Sequence, residues 1–175
     1  ELAAKWIKYV NGKKHAGVKY WEVADEPYLT MSVDKFIQKM KEFVPKMKAA
    51  DPSIKIVANV SMGNPDYTKK VIHEVGDMID IYSIHILPLS PSYTKDEQKK
   101  FFKDLLGTPE QVRNQLSTLK SWVNQAYPHK KVEYQIGSYN TVWSGPKDWT
   151  VNSLPAGLWT ADMLGTFAEE QVSAA

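Results

Sequence analysis

Tyr20-Trp21-Glu22-Val23-Ala24-Asp25-Glu26-Pro27-Tyr28 reads as a hydrophobic strand that runs into two adjacent carboxylates and is stopped by a proline. Acids are poor strand residues, so a pair of them at a strand end suggests that they face a ligand. Proline after Glu26 offers no N–H to a ladder and fixes the local backbone. A rigidly held carboxylic acid beside aromatic rings is what general acid–base chemistry on a sugar requires. Glu26 is therefore the leading candidate for chemistry, although an acid at a strand end can equally cap a helix or pair with a lysine.

Outward from this stretch, helical and strand periods alternate. Residues 2–10 pattern as an amphipathic helix ended by Asn11-Gly12, and 18–23 as a strand. Ser32 caps a helix running to Ala50, with Phe36, Met40, Phe43 and Met47 on one face and Pro45 expected to kink it. Further strands are predicted over 55–60, 79–84 and 132–136. Helices are predicted over 66–75, 109–127 (with Thr108 as N-cap) and 154–169, and 172–175 opens another strand. Repeated units of this kind imply an α/β fold of parallel strands with right-handed crossovers. An open doubly wound sheet and a (β/α)8 barrel both fit. No glycine-rich phosphate-binding turn follows any strand, which weakens the nucleotide-binding, doubly wound option. A complete barrel takes roughly 250 residues. At 175 residues the chain is read as one domain over 1–175, too short to close a barrel, and the choice between the two architectures stays open on pattern alone.

Composition narrows the function classes. The net charge is only +2, and Arg113 is the sole arginine, which disfavours nucleic acid or a phosphorylated substrate. There are no cysteines, so disulfides and thiolate metal sites are excluded. No apolar run approaches membrane-spanning length, and no membrane partner is expected. His15, His73 and His129 lack ligand spacing, and no metal or cofactor is implied.

Several stretches together resemble the second half of a clan A retaining glycoside hydrolase barrel. Trp21-Glu22-Val23-Ala24-Asp25-Glu26-Pro27-Tyr28 is similar to the fourth strand of that clan, which ends in Asn-Glu-Pro with the Glu as acid/base. Ala49 to Val57 resembles the link into the fifth strand. Asp80-Ile81-Tyr82-Ser83-Ile84-His85 resembles the sixth, where a histidine lines the sugar site. Ile136-Gly137-Ser138-Tyr139-Asn140 resembles the end of the seventh, where the nucleophilic glutamate sits, and Leu158 to Gly165 the helix after it. The resemblance runs from about the third helix to the start of strand eight. It implies a partial (β/α)8 TIM barrel whose ancestral reaction is retaining hydrolysis of a β-linked oligo- or polysaccharide, in an extracellular or periplasmic parent. Glu26 would be the acid/base, and Asp25 would contact the sugar.

Two positions depart from the clan's pattern. Asp25 stands where asparagine is usual, and an ionised aspartate only accepts hydrogen bonds. Ser138 stands where the nucleophile is expected. Retaining hydrolysis uses two carboxyl groups about 5–5.5 Å apart, and a serine hydroxyl without a base is a poor substitute. Hydrolysis by this chain is therefore expected to be impaired. A non-catalytic carbohydrate-binding pseudoenzyme is the alternative. Glu133 lies at the wrong end of its strand to replace the missing acid, and no nucleophile elbow surrounds Ser138.

His85, Tyr28, Tyr139 and Trp143 are the candidate sugar contacts, and Trp149 is expected to cover the barrel mouth. Trp143 leads, because Val142-Trp143-Ser144-Gly145-Pro146 is a turn that could present it. Asn59-Val60-Ser61 matches a glycosylation acceptor but closes a buried strand. Lys95 to Lys103 reads as a solvated loop or helix face. The unpaired strand edges of an incomplete barrel predict self-association, or dependence on a missing N-terminal half.

Overall fold

The computed structural model describes residues 2–175. In chain order its elements are α1 (Leu2–Ile7), β1 (Tyr20–Glu22), α2 (Pro27–Thr30), α3 (Val33–Ala50), β2 (Lys55–Asn59), α4 (Pro65–Val75), β3 (Ile81–Ile86) and α5 (Gln98–Leu106). They continue with α6 (Thr108–Ala126), β4 (Glu133–Tyr139), α7 (Asp148–Val151) and α8 (Leu154–Glu169). The strands form one sheet in the order β1-β2-β3-β4. Tyr20 pairs in parallel with Lys55, and Val57 with Ile81. The chain divides into two compact units, residues 1–83 with 122–133, and residues 84–121 with 134–175.

The first unit is built on β1, β2 and the start of β3. Ile56, Val57, Ala58 and Asn59 are all buried, as expected of a parallel strand covered on both faces. The Ser32 hydroxyl accepts from the Lys35 N–H at 3.3 Å and starts α3, which buries Phe36, Ile37, Met40, Val44 and Met47. Val44 takes the buried place predicted for Phe43, which is half-buried at the edge of that stripe, and Pro45 lies on the exposed side without ending the helix. Asn64 caps α4 the same way, accepting from the Tyr67 N–H at 3.2 Å with Pro65 in the first turn.

The first strand is shorter than the 18–23 reading, at Tyr20–Glu22, and two other boundaries in this unit differ from the sequence reading for local reasons. The first helix continues past Ile7 as a π-helical turn over Lys8–Lys13, closed by the Lys14 N–H on the Tyr9 carbonyl at 2.9 Å. The Asn11 side chain then clamps the incoming strand, accepting from the Val18 N–H and donating to the Val18 carbonyl, both at 2.8 Å. The third strand begins two residues later than the 79–84 expectation. A short 3₁₀ turn occupies Gly76–Met78, and the Asp80 carboxylate is engaged by Lys48 Nζ and the Ile56 N–H, each at 2.8 Å. Glu133 pairs with Lys55 at the N-terminal ends of their strands. Beside β1, Leu2, Trp6, Trp21, Phe43 and Met47 line an open apolar groove of about 440 Å³.

The second unit holds the end of β3, most of β4 and the helices α5, α7 and α8, with most of α6. The Asn140 N–H on the Ile86 carbonyl, at 3.0 Å, ties the C-terminal ends of β3 and β4. On the far side of β4, the Ser173 N–H reaches the Tyr134 carbonyl at 2.8 Å, and the Ile136 N–H the Ala174 carbonyl at 2.9 Å. The start of a further parallel strand, expected at 172–175, is thus present as a bridge between Gln135 and Ala174. With partners on both sides β4 extends to Tyr139, past the predicted end at 136. Thr108 is a correction: it does not cap α6 but sits in its first turn, donating to the Leu105 carbonyl and accepting from Trp159 Nε1, both at 2.8 Å. The 95–103 segment, read as a solvated loop or helix face, runs into α5, which buries Phe101 and Leu105.

Candidate active site

The loop leaving β1 uses backbone that side-chain-bearing residues rarely adopt. Ala24 has φ 147°, and Glu26 is left-handed with φ 41° and ψ 51°. Such residues cost of order 1–3 kcal/mol and persist only where their surroundings over-determine them. Here the Val23 N–H is held by the Val57 carbonyl at 3.2 Å, Pro27 opens α2, and the Leu29 N–H returns to the Glu26 carbonyl at 2.9 Å. The two acids are thereby presented just past the C-terminal end of β1, Asp25 exposed and Glu26 half-buried.

Tyr28 was a candidate for stacking on sugar, and the structure gives its hydroxyl another task. It donates to Glu26 Oε1 at 3.1 Å. The ring stands edge-on to Tyr67 at 6.2 Å, and Tyr67 stacks on Phe36 at 6.1 Å. Burial first, then the charge and hydrogen bond of Glu26, then Asp25 and Glu22, push the Tyr28 phenol well above the ordinary tyrosine range. It therefore remains a proton-bearing donor through neutral and mildly alkaline pH.

The remaining candidates lie in the second unit. His85 is half-buried, next to last in β3, and Ser138 is exposed, next to last in β4. Trp143 is 60% exposed. Its turn is held at one side by the parallel bridge between Leu89 and Val142, and turned at the other by Gly145 with φ 50°. The buried Thr141 hydroxyl, donating to the Thr150 carbonyl at 2.9 Å, anchors the same loop. Tyr139 packs its ring on α8, 5.4 Å from Phe167 and 6.4 Å from Trp159. Trp149 lies edge-on to Phe101 at 5.2 Å and Phe102 at 6.3 Å, a covering position rather than a presented one. Asn59 is fully buried, so its acceptor sequence is out of reach of a glycosylating enzyme in the folded chain.

Two residues that act on this loop were not singled out from sequence. Glu22 adds a third acid acting on Tyr28, and three acids among five residues of the opening stretch were a legible signal for it. Tyr67 supports the Tyr28 ring from α4, and nothing local in the sequence announces a contact that only folding creates.

No protein-family model and no curated protein sequence matches the chain. Solved structures do. An α-L-arabinofuranosidase from Thermotoga maritima, in complex with arabinose, superposes with TM-score 0.76 at 23% identity, over 97% of this chain and 39% of that one. The fold is part of a (β/α)8 barrel. A family 51 α-L-arabinofuranosidase from Bifidobacterium longum gives TM-score 0.74 at 17% identity, over 99% of this chain and 43% of that one. A thermostable family 51 enzyme of the same activity from Thermotoga petrophila gives 0.63 at 22%, over 97% and 39%. What is shared at these identities is architecture, and the chain spans about two fifths of the length of the structures it matches. Among the described residues, no helix is long and apolar enough to cross a membrane.

Proposed function

We propose that the chain is the acid/base-bearing portion of a retaining glycoside hydrolase, and that its hydrolytic step is impaired by Ser138. The observation that carries this reading is Glu26: a carboxyl group just past a parallel strand's end, fixed in a left-handed turn and hydrogen-bonded by a tyrosine. Strand ends of this polarity are where barrel enzymes assemble their chemistry. The likeness in fold to arabinofuranosidases supports a carbohydrate substrate and favours an α-L-arabinofuranoside over the β-linkage suggested by sequence. Glu26 protonates the glycosidic oxygen as its bond to the anomeric carbon breaks. Asp25 accepts from sugar hydroxyls, and Trp143 offers a stacking face. Ser138 carries no charge to stabilise the oxocarbenium-like transition state and no base to make it a nucleophile.

The test uses the unaltered chain with 4-nitrophenyl α-L-arabinofuranoside and 4-nitrophenyl β-glycosides. Nitrophenol release is expected to be slow alone and accelerated by molar azide, which attacks the anomeric carbon as the aryl oxygen departs and leaves a glycosyl azide. Sugar binding without azide-stimulated release would favour the pseudoenzyme. Neither binding nor release would overturn the reading altogether.

The groove beside β1 and that strand's place at the edge of the sheet support the proposal that the chain self-associates there. Sedimentation is expected to show mass rising with concentration. A monomer at every concentration, with a cooperative unfolding transition, contradicts this.

A further inference from the structure

We propose that Tyr28 is a positioning residue for proton transfer by Glu26, holding one carboxyl oxygen so that the other carries the proton delivered to the leaving group. The proposal rests on the reading of Glu26 as acid/base and extends it to a residue that the sequence placed against the sugar instead. Three observations carry it. The Tyr28 hydroxyl donates to Glu26 Oε1 at 3.1 Å. The ring is pinned from outside the loop, edge-on to Tyr67, itself 6% exposed, which stacks on the fully buried Phe36 of α3. Glu26 and Tyr28 belong to one turn, whose left-handed entry and proline fix the backbone that carries both side chains.

The chemistry follows from the direction of that hydrogen bond. As the glycosidic bond breaks, the proton on Glu26 passes to the departing oxygen and the carboxyl group becomes a carboxylate. Tyr28 keeps its own proton throughout. A phenol donates more strongly to a carboxylate than to a neutral acid, so the contact tightens as the proton leaves. An interaction stronger in the transition state than in the ground state accelerates the step, whereas uniform binding does not. The charges acting on the phenol are those of Glu26, Asp25 and Glu22 from its own segment, and α4 presents the ring of Tyr67. All three charges are negative, so they keep Tyr28 protonated and able to donate.

Two measurements test this, one with turnover and one without. In chains carrying Ser138→Glu, Tyr28→Phe is expected to lower kcat/KM about tenfold on a methyl arabinofuranoside. On the dinitrophenyl arabinofuranoside, whose leaving group needs little protonation, the loss in kcat/KM is expected to be less than about twofold. Equal losses on the two substrates would reduce Tyr28 to a structural role and overturn the proposal. Separately, in the chain with Ser138 kept and labelled with [13Cζ]tyrosine, Glu26→Gln is expected to move the Tyr28 titration to lower pH, because it removes the charge and leaves only a neutral, weaker acceptor while burial remains. An unmoved titration overturns the contact whatever the kinetics. A moved titration with no turnover from the Ser138→Glu chain fails the glycosidase reading itself, and the catalytic role falls with it. Turnover with an unmoved titration fails Tyr28 alone.

Discussion

Ser138→Glu is expected to raise the release of nitrophenol from aryl arabinofuranosides by about a thousandfold or more, the scale on which removing a nucleophile usually acts. The retaining mechanism needs a second carboxylate about 5–5.5 Å from the first, to attack the anomeric carbon and then leave as water enters. On the proposed reading, Ser138 stands at that position without the charge. Ser138 is exposed and next to last in β4, where a longer side chain meets solvent rather than a packed core, so the substitution is expected to cost little stability. Ser138→Gln is the control, since it matches glutamate in size without its charge and is expected to gain nothing. The gain also reads out geometry, because a carboxylate at 138 helps only if it and Glu26 reach the same sugar. Adding Glu26→Gln to Ser138→Glu is expected to remove most of the gain on substrates with poor leaving groups. Turnover unchanged by Ser138→Glu, on α-L-arabinofuranosides and β-glycosides alike, would sink the assignment of both residues.

Trp159→Ala is expected to be the most destabilising single change near the end of β4, by about 3–5 kcal/mol, as for other large aromatics truncated in cores. Trp159 is 1% exposed and donates from Nε1 to Thr108 Oγ1 at 2.8 Å, which fastens α8 to the start of α6. Its ring also lies 6.4 Å from that of Tyr139, the neighbour of Ser138. Trp159→Phe keeps most of the apolar contact and loses the hydrogen bond, so about 1–2 kcal/mol is expected from the unmade bond and the smaller ring. Urea unfolding monitored by circular dichroism separates the two. Equal losses would mean that the hydrogen bond, not the packing, fixes α8 on the sheet. The Ser138→Glu gain is expected to shrink in a Trp159→Phe background if α8 holds the end of β4 in place.

The alternation of strands with the longer helices was legible because those elements announce themselves locally, whereas α2 and α7 were not read from the sequence. Ser32, Asn64 and Ser153 cap helices through their own side chains, and the predicted helix at 154–169 is Leu154–Glu169 in the structure. The turn at Asp25, Glu26 and Pro27 was legible for the same reason, since its two acids and its proline share one short segment. Illegible features depended on distant partners. The end of β4 is tied by the Ile86 carbonyl, which accepts from the Asn140 N–H, and no property of residues 137–139 predicts that they continue a strand. Thr108 reads as a cap until Trp159 arrives from α8 to donate to it.

The alternation of strands with helices and the acid at the end of β1 follow from residue patterns alone, because backbone propensity, capping and proline act over a few neighbouring residues, whereas the strand order is seen in the folded sheet. The direction in which aromatic side chains turn does not follow from those patterns. Tyr28 goes to Glu26 and Tyr139 to α8, each drawn by rings that lie far along the chain, on α4 and on α8. A side chain's partner is decided by which surfaces folding buries together, and that is a property of the packed chain rather than of any segment within it.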